Sequence, residues 1–213
     1  MEDIHKVIKP AVAVDVVIFT IKDNDLKVCL VKREDEPYFG KHALPGRFVR
    51  YEEPIEDTAK KALQLKAGIN PEKVYLEQLY TFGQELKRDT RIRTISIVYY
   101  ALVRVEDIEG SKLEWHSVYK LPELGFDHKK IIDYSVDRLR TKIVESDFSF
   151  QLMPKEFTLT ELQKAYQIIL SKELDKRNFR KKLFELDIVK ETGKVKAGGI
   201  HRPARLYSFK RRK

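Results

Sequence analysis

The segment PGRFVRYEEPIEDTAKKALQLKAGI, residues 45–69, decides the fold. Pro45 and Gly46 close a loop, and GRFV reads as the end of a short strand. Pro54 has a pre-set helical φ and lacks an N–H that the first helical turn would leave unpaired, so it opens a helix. The helix runs to about Lys66, and Gly68 stops it by taking the left-handed conformation of a C-cap. Positions 62, 65 and 66 of such a helix share one face, and here they carry Ala, Leu and Lys.

Outward from this segment the chain alternates apolar runs with turn residues. AVAVDVVIFTI (11–21) and LKVCLVKR (26–33) are rich in Val and Ile and read as two strands separated by the turn KDND. EDEPYFGKHALPGRFV is a loop that ends in the short strand. KVYLEQLYTFG (73–83) and IRTISIVYYALV (92–103) read as strands, and the polar QELKRDTR between them as a rim. KLEWHSVYKLPEL gives a strand around Trp115 and a turn at Pro122. In DHKKIIDYSVDRLRTKIVES (127–146) the apolar Ile131, Ile132, Val136, Leu139 and Ile143 fall at helical spacing.

DFSFQLMPKEF joins this part to a second one. In TLTELQKAYQIIL both Thr158 with Glu161 and Thr160 with Gln163 have the spacing of a capping box. Leu162, Tyr166, Ile169 and Leu170 make one face of that helix. Asp175 caps the next, KRNFRKKLFELDI, whose apolar stripe is Phe179, Leu183, Phe184 and Leu186. VKETGKVKAGG turns at Thr192-Gly193, and ARLYSF alternates as a strand does. The order is helix, turn, helix, then a basic two-stranded ribbon. The expected division is residues 1–150 and 151–213.

The chain of 213 residues is 42% hydrophobic, enough for a real core. Its longest apolar run, 11–21, is too short to span a bilayer and contains Asp15. MEDIHKVIKP is polar and acid-bearing, unlike a secretory leader. Cys29 is the one cysteine, so no internal disulfide forms, and its apolar surroundings predict a buried, inert thiol. A soluble cytoplasmic protein is expected, with no membrane partner. The net charge of +9 is uneven. Residues 151–213 hold 17 Lys and Arg against 7 Asp and Glu, a net of +10. Subtracted from the whole-chain 42 and 33, that leaves 25 basic and 26 acidic residues before them, a net of −1. The asymmetry points to a neutral module joined to one that meets a polyanion, with a solvated basic tail as the alternative that composition leaves open.

The first two-thirds resembles the Nudix family, on HALPGRFV, on Glu52-Glu53, and on the helix that ends in Ala-Gly-Ile. The resemblance implies an N-terminal α/β/α sandwich with a mixed sheet. Aligned on Gly68-Ile69, the family's motif puts Arg47 at its first Gly, Glu53 at its first Glu and Lys61 at its Arg. Ala62, Leu65 and Lys66 then replace the helix glutamates. Mg²⁺ needs hard oxygen ligands in near-octahedral geometry, and this face offers a methyl, an isobutyl and an ammonium. No metal site, no catalytic residue and no cofactor are expected, since without the metal nothing activates water. The cleft keeps its walls as an effector site. Arg33, Arg47, Arg91 and Arg93 are candidates for anion contacts, and Phe48 and Phe82, with Tyr38 and Tyr80, for stacking. Glu53 completes the candidate set.

The basic third reads as a winged helix-turn-helix, making the whole chain α+β. In that architecture the second helix enters the major groove and the hairpin touches the backbone or the minor groove. Arg177, Asn178 and Lys181 project from DKRNFRKKL to read base edges, while Lys176 and Arg180 meet phosphates. The wing tip KAGGIHRPAR offers His201, Arg202 and Arg205 to a narrow minor groove.

Across both modules the chain resembles the Nudix-related transcriptional regulators, the NrtR-like group. VDVVIFT, LVKREDEPYFGKHALPGRFV, LPELGFDHKKII, FTLTELQKAYQIIL, LDKRNFRKKL and HRPARLYSF carry the resemblance. It implies a repressor that binds palindromic double-stranded operator DNA as a homodimer and senses ADP-ribose, a related nucleotide or a sugar in the Nudix-like domain. The helix over 127–146 is the expected relay. Two departures sit at the cleft: His42 stands where Trp is usual, and Arg47 where the second Gly of Pro-Gly-Gly is usual. Two rivals remain. One is a hydrolase of ADP-ribose or a related compound, drawing metal ligands from Glu52, Glu53, Glu56 or Glu85. The other is an RNA-binding protein with an inactive Nudix domain.

Overall fold

The computed structural model describes residues 9–108, 113–145, 151–196 and 203–210. Among these, β1 (Ala11–Lys22) is the long central strand of a seven-stranded mixed sheet. It pairs antiparallel with β2 (Asp25–Lys32) and in parallel with β6 (Thr94–Leu102), and β5 (Tyr75–Phe82) closes that edge antiparallel to β6. Two short strands replace the single strand end expected after the loop. They are β3 (His42–Ala43), which pairs with β2, and β4 (Gly46–Phe48), which pairs with β1. β7 (Glu114–Ser117) also pairs with β2. The turn between β1 and β2 is tight, and Asp23 and Asn24 both take positive φ there, a conformation these two side chains tolerate.

The period-two pattern of β1 splits its side chains between two cores. Val14, Val16 and Ile18 pack with Ala59, Ala62, Leu63 and Ala67 of α1 (Ile55–Ala67). Val17 and Phe19 pack on the other face with Ile131, Ile132, Val136, Leu139 and Ile143 of α2 (His128–Glu145). The sheet is therefore the filling of an α/β/α sandwich. Pro54 precedes α1 and Gly68 ends it at φ 61° in the left-handed region, as the local sequence requires. Cys29 is buried beside this layer, and burial pushes its thiol up to about 12, as expected of an inert cysteine.

The second module is α3 (Leu159–Leu170), α4 (Lys176–Glu185), β8 (Val189–Lys196) and β9 (Ala204–Phe209). Of the two capping boxes open to the sequence, Thr158 with Glu161 forms in both directions. The side chain of Asp175 accepts from Asn178 N at 2.8 Å and caps α4. Two expectations fail. Gly193 has φ 77° but lies in a bulge within β8, where the register to β9 slips between Glu191 and Val195, so the chain does not reverse there. The apolar stripe of α4 is also narrower than its sequence suggests. Leu183 is buried and Phe179 is partly buried, but Phe184 and Leu186 are 52% and 46% exposed. A ten-residue helix packed on one side buries only the residues that face α3. The expected boundary at residues 150 and 151 falls where 146–150 lie outside the described residues.

The two modules share a core. Leu152, Met153, Phe157, Leu162, Ile169 and Leu183 belong to the same buried cluster as α2 and one face of the sheet. At the joint, Tyr119 Oη donates to Ile168 O at 2.9 Å and Arg140 Nε to Ile169 O at 3.1 Å. No helix among the described residues is long and apolar enough to cross a membrane.

Candidate functional site

A cleft of about 300 Å³ opens over the ends of β1 and β4. Its floor is Ala13 and Asp15 of β1, and Gly46, Arg47 and Phe48 of β4 form one wall. Arg33 and Asp35, just past β2, face Arg88, Asp89 and Arg91 from the segment between β5 and β6. Lys66 enters from α1, and Phe126 and His128 from the start of α2. Five cations thus face three carboxylates, and two aromatic rings stand among them.

The cations are pre-oriented. Arg91 donates to Asp89 through Nε at 3.0 Å and Nη2 at 2.8 Å, a two-pronged pair that fixes the guanidinium plane. Burial pushes the Asp89 carboxyl up, but the bonds from Arg91 outweigh it and hold the group below the usual range. The same guanidinium lies 5.4 Å from the Phe48 ring centre and 5.3 Å from that of Phe126. Arg33 lies 4.8 Å over Phe126 and is tied to the Pro37 carbonyl at 2.7 Å. Behind them Arg88, buried, grips Asp127 with bonds of 3.0 and 2.8 Å. Asp15 accepts from Ser96 Oγ, and His128 Nε2 lies 3.8 Å from Asp15. His128 Nδ1 accepts from Leu44 N at 2.9 Å, so the ring carries its proton on Nε2. Burial lowers the His128 pKa and keeps the ring neutral.

Of the expected effector residues, Arg33, Arg47, Phe48 and Arg91 line this cleft. Glu53, Phe82 and Arg93 do not. Glu53, just before α1, is paired with Lys61 Nζ at 2.6 Å and Arg47 Nη2 at 3.5 Å. Its pKa is lowered, first by the Lys61 bond. Phe82 packs with Tyr80 against Tyr134 of α2 and lines a separate hollow. Arg93 is spent on carbonyls, those of Gly83 and Glu85 among them, and so holds the loop that carries Arg88 and Arg91. Tyr38 packs on Phe126 outside the cleft lining. Sequence reasoning passed over Asp15, Lys66 as an anion contact, Arg88, Asp89, Phe126 and His128. The run GFDH contains two of them, and the polar QELKRDTR, expected as a rim, contains another two.

On the basic module Lys176, Arg177, Asn178 and Lys181 are exposed along α4. Arg180 differs. Its Nε is shielded and makes no hydrogen bond, in a hollow shared with Thr158, Thr160 and Arg205 at the start of α3. A helix N-terminus beside an unsatisfied guanidinium N–H suits an anion such as a phosphate. Arg205 on β9 pairs with Glu191 at 2.8 Å across the wing. His201 and Arg202, expected at the wing tip, lie outside the described residues.

A mixed-sheet sandwich of this order, followed by two helices and a two-stranded wing, defines a two-module class: a Nudix-type domain joined to a winged helix. Residues 9–134 match the NUDIX domain family and residues 149–209 the NrtR DNA-binding winged helix domain family. The ADPR responsive transcriptional repressor NtrR of Acinetobacter baylyi is 36% identical over an alignment of 210 positions that covers 94% of this chain and 82% of that protein. The crystal structure of Shewanella oneidensis NrtR complexed with a 27mer DNA superposes with a TM-score of 0.79 at 31% identity, covering 93% of both chains. The cocrystal structure of its NUDIX domain with ADP ribose covers 65% of this chain and 94% of that one, with a TM-score of 0.55 at 31% identity. The ADP-ribose pyrophosphatase of Methanocaldococcus jannaschii is 36% identical over an alignment of 135 positions that covers 59% of this chain and 73% of that protein. The chain belongs to the NrtR family of Nudix-related regulators, as its sequence motifs imply.

Proposed function

We propose that this protein is a cytoplasmic transcriptional repressor that releases or changes its grip on operator DNA when ADP-ribose fills the Nudix cleft. The single observation that carries this reading is the 36% identity to an ADPR responsive repressor across 94% of the chain. The cleft supports it. Arg33, Arg47, Lys66 and Arg91 supply the positive charge a diphosphate needs, and Phe48 and Phe126 offer faces to a base. A plain sugar would leave those cations without an anionic partner, so the nucleotide is favoured over a pentose. On the DNA side, Arg177, Asn178 and Lys181 read bases while Lys176, Arg180 and Arg205, with His201 and Arg202, contact backbone or minor groove. The protein binds a palindrome as a homodimer, with half-sites about one helical turn or a multiple apart, and its modules divide at residues 150 and 151.

On this reading the Nudix module does not hydrolyse its ligand. Lys66 stands in the cleft where an acid is needed, and Glu53 is already paired with Lys61. The match to an ADP-ribose pyrophosphatase over 59% of the chain favours the opposite reading. One set of assays separates them. Fluorescence anisotropy on duplex DNA from upstream of the gene, with ADP-ribose, NAD and pentoses titrated in, should show that ADP-ribose alone shifts the binding curve. Incubation of ADP-ribose with Mg²⁺ or Mn²⁺ should leave it intact. Clear turnover, or DNA binding indifferent to every ligand tried, overturns the proposal.

A further inference from the structure

Two histidines and a glutamate meet at the open edge of the sheet, outside the cleft. β3 and β7 lie end to end along the side of β2 that β1 does not occupy. They behave as one broken edge strand. Along it His42, Glu114 and His116 stand opposite Lys32, Leu30 and Val28, alternate residues of β2. All three side chains therefore leave the same face. Their ligand atoms lie within 4.8 Å of one another, and among the described residues no other His, Cys, Asp and Glu trio does this. His42 Nε2 is 2.8 Å and His116 Nε2 3.5 Å from the same oxygen, Glu114 Oε2. His116 Nε2 is shielded from solvent and makes no hydrogen bond. A simple His42–Glu114 pair explains the first contact and leaves His116 Nε2 with only the long 3.5 Å approach to the same oxygen.

We propose that His42, Glu114 and His116 form a binding site for a zinc-like divalent transition ion, with water in the fourth position. Two imidazoles and one carboxylate are a borderline-soft donor set, suited to Zn²⁺ or Co²⁺ and unsuited to Mg²⁺, which takes oxygen. Around a tetrahedral ion with bonds of about 2.0–2.1 Å, ligand atoms stand about 3.3 Å apart. The two separations to Glu114 Oε2, 2.8 and 3.5 Å, bracket that value, and the remaining His42–His116 pair lies within 4.8 Å. The site is also placed to matter. His42 O accepts from Gly125 N at 2.8 Å, and His42 N donates to Glu123 O at 3.3 Å. An ion held by His42 braces the turn that presents Phe126 to the cleft.

The test uses the untagged full-length chain, stripped of metal by chelation and titrated with Co²⁺. One Co²⁺ per chain is expected, with the strong visible bands of a four- or five-coordinate ion, displaced by Zn²⁺. His116→Ala and His42→Ala should each weaken Co²⁺ binding by at least about tenfold. A second readout needs no variant: Zn²⁺ should protect His42 from diethylpyrocarbonate, as mapped by mass spectrometry. Only a pale six-coordinate spectrum, equal binding by a His42→Ala/His116→Ala double variant, or modification of His42 unaffected by Zn²⁺ overturns the site.

Discussion

Gly46 and Asp15 pack so closely that no side chain fits between them. A Cβ on Gly46 would stand 2.2 Å from Asp15 Oδ1 and 2.9 Å from the Val14 carbonyl oxygen. The two residues face each other in the β1–β4 ladder, and Ser96 holds the other Asp15 oxygen. The carboxylate is buried with Arg88 and His128 around it, so it has little room to retreat. Gly46→Ala is therefore expected to cost about 1–3 kcal/mol through overpacking. Urea unfolding should show a lower midpoint with an unchanged slope. ADP-ribose affinity should fall with it, because Asp15 is the floor of the cleft. A midpoint equal to that of the wild type would mean that β4 peels away from β1 at little cost.

The framework around this pair was legible because it is periodic. The Val and Ile richness of AVAVDVVIFTI announced a strand, and Pro54 and Gly68 marked the ends of α1 to within a residue. The apolar spacing of 127–146 gave α2. The cleft was legible only in part. Arg88 and Asp89 are buried by pairing with partners remote or local in sequence, and a buried ion pair leaves no periodic trace. They therefore read as a polar rim. Phe82 and Arg93 failed as candidates for a different reason. Strand parity put Phe82 on the α2 face of the sheet, and the carbonyls of the β5–β6 loop claimed Arg93. Neither outcome follows from residue type.

Lys66 offers the next test. An acid restored at this position should not restore a metal centre, because Ala62 is a fully buried methyl and Leu65 is 69% exposed. Mg²⁺ needs several oxygens at once. Lys66→Glu is expected to leave ADP-ribose intact in Mg²⁺ or Mn²⁺, followed by chromatography of the nucleotide. Affinity for ADP-ribose should drop by about tenfold to a hundredfold, the range of one charged hydrogen bond. Products appearing in this variant would show that the cleft already holds the remaining ligands.

His128 predicts a pH dependence of stability. Its folded pKa lies below the ordinary 6.5, first through burial, with Asp15 and Asp127 opposing and Arg88 and Arg33 adding to the shift. Below the unfolded value the unfolded chain binds a proton that the folded chain refuses, so stability is present above about pH 6.5 and is lost as pH falls below it. Protonation would also remove the acceptor that Leu44 N uses. His128→Asn offers an amide oxygen as an acceptor and does not titrate. Urea midpoints measured from pH 7.5 down to 5.5 should decline in the wild type and decline less in His128→Asn. Parallel curves would assign the slope to other groups.

The joint between the modules makes the last prediction. Tyr119 and Arg140 come from the sandwich, the first beyond β7 and the second on α2. Both donate to carbonyls in the last turn of α3, Ile168 and Ile169. Ile168 O otherwise accepts only a long 3.4 Å bond from Ser171 N, so the sandwich supplies part of the C-terminal cap of a DNA-binding module. α2 starts at the cleft with His128 and reaches α3 through Arg140, about three turns further on. A ligand that shifts the start of α2 therefore moves the end that positions α3. Coupling between sites is a free-energy difference, typically about 1–3 kcal/mol, and can be lost while both sites remain intact. Tyr119→Phe with Arg140→Met removes the two donors and keeps most of the apolar contact. The double variant is expected to bind ADP-ribose, by calorimetry, and operator DNA, by anisotropy, as the wild type does. The change in DNA affinity on adding ADP-ribose should shrink toward none. Full response in the double variant would route the signal around this joint.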